Sequence, residues 1–210
     1  MIKIAPEGWP FIVGAVLLTL AVYLFFRNWS VAVPVVLVLF MLFFFRDPER
    51  VISGDKDIFV SPADGKVIVI KDVFEDRYLK ADARQISIFM SPFNVHVNRS
   101  PVDGTVTDVI HTRGDFKAAY KDSASASNEN TVMILDSSYG KIVVRQVAGF
   151  IARRIVCRIK PGDKLVTGQR YGIIKFSSRV DIFLPKGVKT AVSLGDSVKA
   201  GETIIARIKQ

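Results

Sequence analysis

The chain has 210 residues, half of them hydrophobic, and a net charge of +9 from 29 Lys and Arg against 20 Asp and Glu. One cysteine, Cys157, excludes an intramolecular disulfide, and two histidines, His96 and His111, exclude a Cys/His metal cluster. The positive excess suits an anionic partner; with no Lys/Arg tract or stacking-aromatic pattern to favour nucleic acid, the expected partner is an anionic lipid surface.

Two uncharged apolar runs open the chain, Trp9–Phe26 and Trp29–Phe45, separated by Arg27-Asn28. Each is at the short end of the roughly 17–25 residues that cross a bilayer. The second run, and the lack of a small-residue cleavage site, argue against a cleaved signal peptide. Three readings stay open: a tight hairpin of two short spans, a shallow re-entrant or interfacial pair, and one long tilted span. Trp9 and Trp29 suit interface positions. Lys3, Arg46 and Arg50 lie outside the runs and only Arg27 between them, which favours a cell-membrane protein with both ends on the cytoplasmic side. Pro34, inside the second run, predicts a kink.

Arg46–Arg50 is a polar boundary and Val51–Asp57 a short linker, dividing a membrane segment, 1–50, from a domain, 51–210, long enough for its own core. The texture then becomes β. Val67–Ile70, Gln85–Met90, Thr131–Leu135, Lys141–Val147 and Ile155–Ile159 are short strand-like runs separated by turn residues. Cys157, within the last of them, is expected to be buried and inert. Asp122–Asn130, rich in Ser, Ala and Asn, reads as a loop able to cover a site.

Two internal echoes occur. Ser61-Pro-Ala-Asp-Gly-Lys-Val67 recurs as Ser100-Pro-Val-Asp-Gly-Thr-Val106, each a turn feeding a strand. Gly162-Asp-Lys-Leu-Val-Thr-Gly-Gln169 recurs as Gly195-Asp-Ser-Val-Lys-Ala-Gly-Glu202, a turn–strand–turn unit of lipoyl-like domains. The fold class expected is mainly β, a compact barrel or sandwich (barrel–sandwich hybrid-like) domain with an N-terminal apolar helical pair. Near its end, Gly172–Phe176 and Val180–Leu184 read as strands flanking Ser177-Ser178. A hydroxyl pinned where two strands meet is better placed for chemistry than one on a loose loop.

The chain resembles phosphatidylserine decarboxylases of the short bacterial and archaeal type. The resemblance rests on Phe45–Arg50, Ser61–Gly65, Met90–Arg99, Gln146–Arg154 and Gly172–Asp181, in the family's order and spacing. It implies a proenzyme that cuts its own backbone before Ser178 and converts that serine into a covalent pyruvoyl cofactor, giving chains 1–177 and 178–210. It further implies decarboxylation of phosphatidylserine or archaetidylserine to the ethanolamine lipid. Its other implications are a phospholipid substrate, a membrane, no nucleic acid and a homodimer. Where the family has glycine before the cleaved serine, this chain has Ser177, so cleavage with Ser177 as the nucleophile is an alternative.

The resemblance also assigns roles. Asp64 matches a self-processing aspartate, although Pro-x-Asp-Gly is a turn in its own right and Asp103 repeats it. His96 aligns with the histidine of the decarboxylation step. The second histidine of the longer type falls on Arg99, which is not a base. Arg153 and Arg154 are candidate phosphate or carboxylate ligands; as strand neighbours they face opposite sides. Phe93 is a further substrate-binding candidate. Two other classes remain beside this reading: an uncleaved family member acting only in assembly, and a lipoyl-like carrier or membrane adaptor, whose lysine would be Lys164.

Overall fold

The computed structural model describes residues 2–117, 127–149, 154–176 and 178–208. It forms two compact units, Met1–Glu49 and Arg50–Gln210.

In the first unit, β1 (Ile2–Ile4) pairs antiparallel with β2 (Arg46–Pro48), a pairing the polar boundary did not suggest. Between them run α1 (Trp9–Phe26) and α2 (Ala32–Phe44). Arg27 ends α1 in the left-handed region at φ +46°, and the Asn28 side chain accepts from Ser30 N–H at 2.9 Å to start the next turn. The apolar run from Trp29 therefore opens as a 3-10 turn, Trp29–Val31. Pro34 does not kink the helix. It lies in the first turn of α2, where a missing N–H costs no intrahelical bond. Among the described residues one helix, Pro6–Phe26 with its leading turn, is long and apolar enough to cross a membrane. At 13 residues α2 is about 20 Å long, so the second run is not a span equal to the first.

The second unit is mostly β, as expected. Its strands in chain order are β3 (Ile58–Val60), β4 (Gly65–Glu75), β5 (Ala81–Met90), β6 (Val97–Arg99), β7 (Gly104–Thr112), β8 (Asn130–Ser137) and β9 (Gly140–Ala148). Then follow β10 (Arg154–Cys157), β11 (Lys164–Leu165), β12 (Arg170–Lys175), β13 (Ser178–Pro185), β14 (Lys189–Thr190), β15 (Ser197–Val198) and β16 (Ile204–Arg207). An eight-stranded sheet runs β11-β7-β8-β9-β13-β5-β4-β15, with three-stranded sheets β10-β12-β6 and β14-β16-β3 beside it. Ile86, Ile88, Met90, Leu135, Ile142, Val144, Val180 and Ile182, all buried, share one core with residues of the smaller sheets such as Tyr171, Ile174 and Ile205.

The two sequence echoes pair with each other rather than with themselves. The end of the first turn, Gly65 and Lys66, is laddered to β15, and its copy, Gly104 and Thr105, to β11. Gly201 N–H donates to Ser61 O and Gly168 N–H to Ser100 O, each at 2.8 Å. The two donors hold φ at +77° and +76°, a conformation that glycine adopts without cost. The unit thus carries an internal pseudo-two-fold. Lys164 lies on β11 opposite Thr105, not at a hairpin tip, so it does not present a carrier lysine.

Cys157 is half-buried rather than buried, and that burial raises its thiol pKa, leaving it inert at neutral pH. Tyr171 is wholly enclosed, and its hydroxyl has no hydrogen-bond partner among the described residues. Burial, and to a lesser degree Cys157, hold its phenol well above 10. A proton retained in the folded state but lost from the unfolded one stabilises below the unfolded pKa and ceases to do so as pH rises. Tyr171→Phe removes a buried, unsatisfied hydroxyl. It is expected to leave stability at pH 7 unchanged or raised by about 1 kcal/mol, and to lessen the loss of stability above about pH 10. Urea melts at pH 7 and at alkaline pH measure both effects.

Candidate active site

Strand β13 is central, bonded to β5 on one side and β9 on the other, and Ser178 is its first residue. Ser178 stands opposite Met90 of β5 and Ala148 of β9. Strand alternation turns Ser178, Val180, Ile182 and Leu184 to the core. Arg179 and Asp181 take the other face, where Arg179 Nε donates to Asp181 Oδ1 at 2.5 Å and Nη2 to Ser87 Oγ at 2.9 Å. The bond to Ser87 ties β13 to β5, the strand beside the one that presents Ser178 to the core.

Ser178 has no exposed surface, and its Oγ donates to Met90 Sδ at 3.4 Å. A thioether is a weak acceptor, so the hydroxyl is aimed without being ionised. Two residues earlier, Phe176 sits at φ +62°. A residue with a Cβ adopts this conformation at a cost of roughly 1–2 kcal/mol. Ser177 lies outside the described residues.

His96 is wholly buried just before β6, and Ile174 N–H of β12 donates to its carbonyl at 3.3 Å. Its Nδ1 is 3.0 Å from Asn94 O. A carbonyl only accepts, so Nδ1 carries a proton, and Nε2 is the nitrogen at which the ring gains or loses one. Two residues on, Asn98 connects β6 to the serine: its Nδ2 lies 3.7 Å from the Met90 sulfur that Ser178 also contacts. Asn98 Oδ1 in turn accepts from Gln146 Nε2 of β9 at 2.8 Å. Met90, Asn98 and Gln146 were not singled out in the sequence, although each stands in or at the edge of a quoted motif. Gln146 carried the clearest signal, because it occupies an inward position between Val144 and Ala148.

Asp64 occupies the first of the paired turns. Its Oδ1 accepts from Ala200 N–H at 2.7 Å and its Oδ2 pairs with Arg50 at 2.7 Å, both side chains nearly enclosed. Asp103, its pseudo-symmetric mate, likewise accepts from Thr167 N–H at 2.6 Å. The shared bond cross-links the two echoes; the arginine is particular to Asp64, and Arg50 extends it to Glu202 at 3.4 Å. Arg99 is buried and donates to Gly168 O at 2.9 Å. Phe93 does not pack in the core. It is 71% exposed, on the turn in which Asn94 Oδ1 accepts from Ser91 N–H. Arg154 is exposed on β10, opposite Lys175, whereas Arg153 lies outside the described residues, as does most of the Asp122–Asn130 loop. His111 is remote from this network by its contacts, which are Thr131 Oγ1 at 3.1 Å and Glu129 at 3.8 Å.

The model of the family described as phosphatidylserine decarboxylase matches residues 37–206. A curated phosphatidylserine decarboxylase proenzyme of Nitrosomonas eutropha is 46% identical over 208 residues, 98% of this chain and 95% of its own. The proenzyme of Geotalea uraniireducens is 47% identical over 203 residues, covering 96% and 95% of the two chains. That of Desulfotalea psychrophila is 44% identical over 208 residues, covering 99% and 97%.

Proposed function

The chain belongs to the phosphatidylserine decarboxylase family, and from that membership we propose that it matures by cutting itself before Ser178 and then removes CO2 from the serine headgroup of a phospholipid. The observation that carries this reading is Ser178 itself, a wholly buried hydroxyl at the head of a central strand. In maturation Ser178 Oγ attacks the carbonyl carbon of residue 177, and the amide becomes an ester. Loss of the Cα proton of residue 178 then expels the 1–177 carboxylate and leaves dehydroalanine. Water adds, ammonia departs, and residue 178 becomes a pyruvoyl group heading a chain of 33 residues (210 − 177).

The residues around position 178 fit such a group. Ala148, Val180 and Met90 keep bulk water away, and Asn98 places an amide donor near it. A bound ketone of this kind supplies an electron sink for the carbanion formed when CO2 leaves. The remaining work falls to the chain. His96, with Nδ1 committed to Asn94 O, takes up a proton from water at Nε2 and, as the imidazolium, gives it to the headgroup carbon that CO2 has left. Arg50 holds Asp64 in the turn whose Pro62 carbonyl receives Arg99 N–H and Asn98 Nδ2, so the pair positions β6 rather than touching substrate. The lipid is met at a membrane on the cytoplasmic side. There α1 and α2 anchor the protein, with Trp9 at the start of α1 and Trp29 just beyond its end suited to interface positions.

Full-length protein in phosphatidylserine vesicles is expected to release CO2 and form the ethanolamine lipid. Phosphatidylglycerol, which has no amine or carboxylate, releases none. A processed protein that releases no CO2 from phosphatidylserine would contradict the proposal. The exposed Phe93 turn is read as a membrane contact beside His96. Phe93→Asp is expected to lower turnover on vesicles about tenfold, the scale of one buried aromatic side chain. Turnover of a soluble short-chain substrate should stay within about twofold of the parent. Equal losses on both substrates would place Phe93 in the headgroup site instead.

A further inference from the structure

Gln146 is 1% exposed, yet its Oε1 has no hydrogen-bond partner among the described residues. The orientation of its amide is dictated from outside. The Pro62 carbonyl only accepts, so the Asn98 amide turns Nδ2 toward it, at 3.4 Å. Asn98 Oδ1 then faces Gln146, which must offer Nε2 and turn Oε1 away. Space for this amide is built in. A Cβ on Gly172, opposite Asn98 in the β12–β6 ladder, would lie 3.1 Å from Gln146 Nε2 and 2.5 Å from Val156 O. The result is an acceptor left open in the core. Buried acceptors are nearly always satisfied, so an open one calls for a ligand that brings a donor.

The sheet register says where that donor arrives. Gln146 is opposite Val180, and Ser178 is opposite Ala148, so Gln146 and Ser178 are diagonal neighbours on the core face, within reach of a long side chain. We propose that Gln146 Oε1 orients the headgroup amine of the substrate at residue 178, an inference that rests on the decarboxylase reading above. The headgroup carries two charged groups near its reacting carbon. Oε1 accepts an N–H from the amine but offers nothing to the carboxylate. The carboxylate is left toward Ala148 and Val180, where an anion is poorly solvated and neutral CO2 is not. Gln146 thus selects primary-amine headgroups and sets which group faces the apolar wall.

The test compares full-length parent, Gln146→Met and Gln146→Glu proteins in phosphatidylserine vesicles, together with intact mass after hydrazine treatment. Hydrazine is a small amine that reports a reactive carbonyl at residue 178 and needs no headgroup orientation. In Gln146→Met, cleavage and hydrazine labelling should match the parent while kcat/KM for the lipid falls at least about thirtyfold, mostly in KM. Gln146→Glu, which keeps an acceptor at the site but loses the N–H offered to Asn98 Oδ1, should recover part of that loss. Three results would overturn the proposal: lipid kinetics of Gln146→Met within twofold of the parent; labelling that falls in step with turnover; or loss of cleavage in both variants, which would place Gln146 in maturation. A parent protein that is neither cut nor labelled would instead remove the decarboxylase reading on which the proposal rests.

Discussion

Alanine at position 178 is expected to leave the protein as one uncut chain of 23.3 kDa with no decarboxylase activity. Without Oγ there is no ester, without the ester no elimination, and without elimination no carbonyl at residue 178. The fold should hardly register the change. Alanine keeps the Cβ that packs in the core, and the bond removed is a weak one to Met90 Sδ at 3.4 Å. Thermal stability should therefore stay within about 1 kcal/mol of the parent, which separates lost chemistry from lost structure. Intact mass and a melting curve on the same preparation decide it. A cut at 177/178 in the alanine variant would contradict the assignment, and a cut at 176/177 would transfer the nucleophile to Ser177.

The second large effect is expected at His96. His96→Gln should reduce lipid decarboxylation by about 10² to 10⁴, the usual worth of a positioned general acid, while the two chains still form. Asn94 O fixes the proton on Nδ1, and Ile174 N–H fixes the backbone on β12, so Nε2 is the nitrogen left for proton transfer. Quench-flow turnover on processed protein, with intact mass as the control, makes the comparison. Turnover within threefold of the parent would remove His96 from the reaction. An uncut chain would make His96 the processing base as well, taking the place of the histidine that Arg99 has displaced.

Local signals in the sequence carried a good deal of this. Trp9–Phe26 is bounded by charge and by Arg27-Asn28, and the helix matches it residue for residue. Gly172–Phe176 and Val180–Leu184 alternate or are β-branched, and β12 and β13 lie there. What escaped depends on partners far apart in the chain. The pairing of Ser61–Val67 with 195–202, rather than with its own copy, is set by sheet order, which no local pattern contains. β1 and β2 are three residues each, too short to show a period, and 41 residues separate Ile4 from Arg46. The Met90–Asn98–Gln146 bridge joins β5, β6 and β9, and each residue taken alone is an ordinary strand side chain. The exposure of Phe93 follows from the tight turn that Ser91 and Asn94 close around it, a contact between side chains that composition does not reveal.

The most direct test of the central claim is the intact mass of the purified full-length protein, before and after hydrazine. Two chains are expected, 1–177 and 178–210. The smaller should be lighter than its serine form by one ammonia and should gain one hydrazone. A single chain that never cuts, or two chains whose smaller member keeps an N-terminal serine and ignores hydrazine, would contradict it.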